Sequence, residues 1–575
     1  MAGHQGATGT RRAAHGRKKR AMPSFHLEQE ALASTNYLER LVDPATGFTY
    51  FNVFRTTPAE AVHDWPDFLD VPGRSAETCV LLRAMTGRPV ATEHAFFRRI
   101  LGFQEADGLF WRPETRITRH AMHREEQALV MAALIARAVV DDDADAERRL
   151  RLLVRGLTAV EEAPGPFPAM LMRPLVRAHE ALQTPGALDL ARRLAARLMG
   201  DPPLFRADGS FAGHVHSHLY AAAGLTELGR IDGDSGLVDA MDRVYRFIRG
   251  QATSFGFVPE LTERADDVIG CETCCLMDYL HLALALARTG RTEYYDDVER
   301  AVRNHLSESR VRHGDWLVED GPPSDDELVL RSGLRERVVG AYGGWTAPNH
   351  MLAYDEWLPD AWVKGPEVAS LYLRKVRALQ NCCSPSGPKA LYLAWQHAAV
   401  AEPDGVCVNL LMDRSLPEAD IRGCEPFEGR LEVEVRRTGV VRVRTPAFVR
   451  PEEVSVTVNG AAAEARTEGH YVASPETHRG DRVAFAYPLP ERREEVAIGN
   501  AGFQHYRYTV EWRGSTVLRL TPGENAERGR SHLMPEPVAL YYGAEGPHPL
   551  YQREGLLASP RTQAPLHRTA GPRVW

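Results

Sequence analysis

A chain of 575 residues with 44% hydrophobic and 25% charged content has the make-up of an ordinary globular protein, and it is too long for one compact core. Its net charge of −8 argues against general nucleic-acid binding. No run of 18 apolar residues is present, so no membrane-crossing helix is expected.

Residues 1–24 read as a disordered basic tail, because residues 1–20 hold six Lys or Arg and no Asp or Glu. Ala21-Met22-Pro23-Ser24 follows where a signal peptide would need an apolar stretch. With no signal peptide, eight scattered or clustered cysteines suit a reduced, cytoplasmic protein better than a disulfide scaffold.

From 25 to 403 the periodicity is helical. Leu237, Val238, Met241, Val244, Tyr245 and Ile248 form one apolar stripe, and Leu276, Met277, Leu280, Leu284 and Ala287 form another. Tyr295, Val298, Val302 and Leu306 form a third. Further runs fall near 26–42, 75–86, 92–102, 122–140, 145–162, 167–183, 187–199, 216–229 and 387–399. Thr86-Gly87 and Thr289-Gly290 supply glycines that can take the left-handed conformation ending a helix. About a dozen helices with short connections predict an (α/α)6 toroid of helical hairpins. An open solenoid would need a strict repeat period, and none is visible.

From 404 to 545 the pattern changes to period two. Val406, Val408 and Leu410 alternate, as do Leu431, Val433 and Val435, and Val441 and Val443 alternate with arginines. Asn459-Gly460 is a hairpin signal, and Tyr506–Trp512 and Thr516–Leu520 read as a second hairpin. This region is expected to be an antiparallel β-sandwich, which makes the whole chain multidomain α+β. Residues 546–575 read as an irregular tail.

Five of the eight cysteines lie in two clusters, Cys271-Glu272-Thr273-Cys274-Cys275 and Cys382-Cys383. Three thiolates plus a carboxylate or imidazole suit zinc. A helix is expected to begin near Thr273, where its N-terminus would stabilise thiolates. On a helix Cys271, Cys274 and Cys275 would share a face, so spacing alone leaves open which of them bind. The vicinal pair cannot easily close into a disulfide, because the ring would strain the peptide bond. Buried apolar cysteines, a purely structural zinc and a redox pair are the competing readings.

Glu272-Thr273-Cys274, the apolar helix after it and the run Tyr294–Asn304 resemble family 127 of the glycoside hydrolases, the β-L-arabinofuranosidases. Cys382-Cys383-Ser384-Pro385-Ser386-Gly387 ahead of Val406-Cys407-Val408-Asn409-Leu410 is similar to that family's later motif, and Gly213-His214 to its Gly-His. The resemblance implies an (α/α)6 barrel followed by β-sandwich material. It implies zinc held by Glu272, Cys274, Cys382 and Cys383, with Cys271 and Cys275 as neighbours. It implies Cys382 as nucleophile and Glu260 as acid/base, with Glu263 as the fallback. A small carbohydrate or glycoside is the expected substrate, and a homodimer is one assembly allowed.

Three features depart from the family pattern. The gap from Glu260 to Glu272 is short, His123-Arg124-Glu125-Glu126 stands where a His-Glu-Leu-Tyr segment is expected, and Met351–Gln380 is an addition. All three bear on which sugar is bound. His214, His218, Trp345 and Asn349 are the expected sugar contacts, each weighed against a role in the core. Trp65 could stack on a sugar, while Asp64 and Asp67 could bind hydroxyls or cap a helix. Cys79, in a second Glu-Thr-Cys string, and Cys407, among strand valines, read as core. The competing functions are a non-catalytic sugar-binding or scaffold protein with structural zinc, and a lyase or epimerase on the same toroid.

Overall fold

A computed structural model describes residues 25–43, 47, 49–50, 52–54, 58–161, 169–263, 270–319, 321–344, 346, 377–498, 506–522, 553, 557, 566–572 and 574. The helices are α1 (Leu27–Arg40), α2 (Asp70–Thr86), α3 (Glu93–Leu101), α4 (Arg124–Asp141), α5 (Ala144–Glu161), α6 (Met172–Leu182), α7 (Ala187–Leu198), α8 (Val215–Asp232), α9 (Ser235–Gln251), α10 (Thr273–Ala287), α11 (Tyr295–Ala301), α12 (Leu334–Arg337) and α13 (Cys383–Ala398). No helix among the described residues is long and apolar enough to cross a membrane.

Two kinds of helix follow from two kinds of sequence. Every residue of α10 and α13 is buried, whereas α9 buries only the stripe of Val238, Met241, Asp242, Val244, Tyr245 and Ile248. The all-round-buried helices touch in a closed circuit: α2 on α4, α4 on α6, α6 on α8, α8 on α10, α10 on α13, and α13 back on α2. The striped helices cover them from outside, with α3 on α2, α5 on α4, α7 on α6, α9 on α8 and α11 on α10, while α1 lies on α13 and α2. Gly87 ends α2 at φ 70, as the Thr-Gly signal requires. The last helix begins earlier than its periodicity suggests. It starts at Cys383 and admits Pro385 in its first turn, so the cysteine pair opens a helix.

The strands form several sheets. One has the order 461–463, 455–458, 482–486, 430–435, 419–423, 414–415, and another 466–468, 471–473, 440–444, 405–408, 399–402. The two share one apolar core, to which Val406, Val408, Val441 and Val443 come from the smaller sheet and Leu431, Val433, Val456, Val483 and Phe485 from the larger. Alternate burial along 430–435 is the period-two pattern made physical. Asn459 and Gly460 turn at φ 53 and 83, the left-handed pair that a tight hairpin needs.

Two details differ from the sequence reading. Strand 440–444 pairs parallel with 405–408, because three strands of the facing sheet intervene and the chain returns in the same direction. The hairpin 506–522 joins strand 491–498 in a sheet of its own, and Tyr508, Val510, Trp512, Val517 and Leu520 belong to the helical core. Asn304 fastens it there, accepting from Val517 N at 2.8 Å and donating to Ser515 O at 2.9 Å.

Helices and sheets meet through buried charge. Glu299 of α11 accepts from Arg303 Nε at 3.0 Å, Arg444 Nη2 at 2.6 Å and Leu411 N at 3.1 Å. The two arginines also donate to the carbonyls of Leu411 and Asn409, each at 2.6 Å. α13 passes without a loop into strand 399–402, and Ala398 O accepts from Asn409 N at 2.8 Å.

Candidate metal centre and active site

The first turns of α10 and α13 meet. Glu272 caps α10 with an extended backbone, and Thr273 donates to Gly343 O at 2.6 Å, so Cys274 faces inward from the first turn. On the other side, Asn381 is held by the hydroxyl of Tyr37 and the carbonyl of Tyr50, which fixes the residue before Cys382. Ser386 Oγ donates to Cys382 O at 3.0 Å and lies 3.2 Å from Cys274 Sγ. A Cβ on Gly387 would lie 2.3 Å from the Tyr342 ring, so only glycine lets α13 sit this close.

These constraints bring together four groups from points about 110 residues apart. One ligand atom from each of Glu272, Cys274, Cys382 and Cys383 lies within 4.8 Å of all the others. Cys274 Sγ is 3.6 Å from Cys383 Sγ, which is 3.7 Å from Cys382 Sγ. Glu272 Oε1 is 3.8 Å from Cys382 Sγ and from Cys383 Sγ. All eight cysteines are buried. Three sulfurs and one carboxylate oxygen, close-set and shielded from water, fit a zinc ion in donor type and number.

The electrostatics suit a cation. Hydrogen bonds from the Cys274 and Cys383 thiols pull Cys382 down to about 6 against the opposing effect of burial. Burial holds Cys274 and Cys383 well above the usual thiol range, so both need a cation to ionise. Burial would also raise Glu272, but the charge and hydrogen bond of His214 outweigh it and hold the carboxyl far below its usual range. His214 Nε2 lies 2.7 Å from Glu272 Oε2. Burial opposes protonation of His214, yet the Glu272 charge pushes it up to about 9.

The expected residues stand in different surroundings. Glu260 is buried, its carbonyl accepts from Val215 N at 2.8 Å, its N–H donates to Gly270 O at 3.1 Å, and its charge acts on His214 and Cys275. Glu263 is exposed and paired with Arg206 at 2.8 Å. His218 lies away from the sulfurs' contacts: its Nδ1 bonds His214 O at 2.7 Å and its ring stacks 4.4 Å from Phe211. Trp65 is stacked by the Arg112 guanidinium at 4.2 Å and by His123 at 6.2 Å, and Asp64 and Asp67 serve as helix caps. Cys79 and Cys407 are buried as expected. Cys271 is not on the helix at all. It bridges Pro259 and Thr346 as extended chain, and its sulfur accepts from Val258 N at 3.4 Å, so the shared-face argument does not apply to it. Trp345, Asn349 and most of the 351–380 addition lie outside the described residues.

The structure adds residues that the sequence did not mark. Arg74 of α2 reaches across the circuit, with Nη1 3.2 Å from His216 Nε2 and 4.0 Å from Cys274 Sγ, while its Nε donates to Asp70 at 2.7 Å. His216 is in turn bonded to Asp278. Burial opposes the Arg74 charge, but Asp70 and the two cysteines Cys274 and Cys382 hold it firmly protonated. The only sequence signal was an arginine four residues after an aspartate near a helix start.

No protein-family profile matches the sequence, and no curated protein matches it. Solved structures do match. A GH127 β-L-arabinofuranosidase from Geobacillus stearothermophilus T6 is similar over 77% of this chain and 75% of its own, with 15% identity and a TM-score of 0.54. A structure described as a glycoside hydrolase is similar over 87% and 81%, with 14% identity and a TM-score of 0.58. Another GH127 β-arabinofuranosidase is similar over 86% and 81%, with 14% identity and a TM-score of 0.53. At such identity the likeness is one of fold: the chain resembles the GH127 glycoside hydrolases in its three-dimensional structure.

Proposed function

We propose that this protein is a retaining glycoside hydrolase, β-L-arabinofuranosidase-like, with Cys382 as nucleophile and Glu260 as acid/base. The observation that carries the reading is the convergence of Glu272, Cys274, Cys382 and Cys383 within 4.8 Å. The similarity to glycoside hydrolases supports it. An (α/α)6 toroid carrying a β-sandwich is the matching architecture, supported by the closed circuit of helix contacts and by the apolar core that two sheets share.

The same four residues would hold zinc. When bound, zinc keeps thiolates deprotonated at neutral pH and offsets their mutual repulsion. Cys382 Sγ attacks the anomeric carbon, forming a carbon–sulfur bond as the bond to the leaving oxygen breaks. Glu260 gives that oxygen its proton. Glu260 then takes a proton from a water that displaces the sulfur, so the sugar leaves with its configuration retained and the thiolate is restored. Cys274 and Cys383 hold their positions throughout, and Arg74 keeps positive charge beside Cys274. The cytoplasm suits this chemistry, because the nucleophile must stay reduced.

A structural zinc in a non-catalytic sugar-binding protein is the second reading, favoured by a ligand set already complete with four protein groups. Hydrolysis of aryl β-L-arabinofuranosides separates the two. Cys382→Ser and Glu260→Gln are both expected to lose more than about a thousandfold in kcat/KM with the fold intact. Full activity in Cys382→Ser would end the thiolate mechanism. An intact-mass adduct of one sugar on Cys382 would be its direct trace.

A further inference from the structure

Glu272 shows its two oxygens to two different sets of donors. Oε1 faces the sulfurs of Cys382 and Cys383 at 3.8 Å each. Oε2 lies 2.7 Å from His214 Nε2 and 3.1 Å from Cys275 Sγ. One ligand atom each from His214, Glu272 and Cys275 lies within 4.8 Å of the other two, as ligands around one ion must. An imidazole, a sulfur and a carboxylate are donors that zinc and other borderline-soft divalent ions accept. The set has three protein ligands, one short of four, and the His214 side chain is 33% exposed.

We propose that a second divalent metal ion binds at His214, Glu272 and Cys275, with Glu272 as a carboxylate bridge to the ion held by Cys274, Cys382 and Cys383. Three protein ligands and an open position are the arrangement of a site that can take a water or a substrate oxygen.

The plainer account is that His214 and Cys275 merely orient Glu272 by hydrogen bonds. Cys275 argues against it. A thiol is a weak donor, so a sulfur is a poor choice for steering a carboxylate and a good one for binding a metal. The charges of two buried carboxylates, Glu260 and Glu272, act on both His214 and Cys275. Arg74, the nearby arginine, is committed to the other side, at Cys274, His216 and Asp70.

The proposal rests on the reading that the first four residues hold a metal, and the test tells the two failures apart. The full-length protein is stripped with a chelator, reloaded with zinc or cobalt(II), freed of loose ion and assayed for metal per chain. Two equivalents are expected in the wild type and one in Cys275→Ala. His214→Asn is expected to hold one as well. In the cobalt form, sulfur-to-metal charge-transfer absorption should fall by about a quarter in Cys275→Ala, as one of four bound sulfurs is lost. A single tightly held equivalent in the wild type overturns the second site and leaves the first standing. Two equivalents in both variants also overturn it. No retained metal at all removes both readings.

Discussion

Among the places where the described residues bury several ionisable groups together, two are built in opposite ways. At the junction of helices and sheets, Glu299 is filled on both oxygens by Arg303, Arg444 and Leu411 N, and the arginines spend further N–H groups on backbone carbonyls. In the cysteine cluster, sulfurs and a carboxylate face one another, with Arg74 and His214 as the basic partners that the described residues bring into contact. The first group is balanced from within and acts as cement. The second would be balanced by a cation, which is what separates a potential ligand set from a salt bridge.

The largest effect should come from unbalancing the balanced cluster. Glu299→Ala takes away the carboxylate that the buried Arg303 is bonded to and leaves Arg444 with Asp296 alone, and should cost about 3–5 kcal/mol in urea unfolding. Its converse, chelation of the cysteine cluster, should lower the thermal midpoint in a manner that returned zinc reverses. The difference would be about 4 kcal/mol when zinc stands a thousandfold above its Kd. Arg74→Met keeps the stem and removes the charge, and metal affinity measured by chelator competition should fall about 10- to 100-fold. If Arg74→Met binds metal as the wild type does, the cluster is not charge-tuned by α2. At the small end, Glu263→Gln should leave both hydrolysis and melting where they were, because that carboxylate is committed to Arg206 at the surface.

The sequence carried the parts whose signal is local. Two cysteine motifs, the stripe on α9 and the Asn459-Gly460 turn each announce themselves within a dozen residues. What it hid is set by three-dimensional neighbours. Arg74, His216 and Asp278 lie on helices buried all round, where a polar residue has no periodic face to stand out from. The hairpin 506–522 was readable as strands, but period two does not say which core a strand joins, and this one joined the helices. The face that Cys271, Cys274 and Cys275 would share on a helix needs one that begins two residues earlier than α10 does. A backbone bridge to Thr346, 75 residues on, keeps Cys271 extended.

The direct passage of α13 into strand 399–402 limits how the chain can be taken apart. The helix that begins with Cys383 is continuous with a sheet at its other end, and Asn409 ties the two across the bend through both its N–H and its side-chain amide. The sheets are therefore not an interchangeable module hung on a self-sufficient helical body. A graft or a cut near residue 403 would release the far end of the rod on which the second pair of sulfurs is mounted.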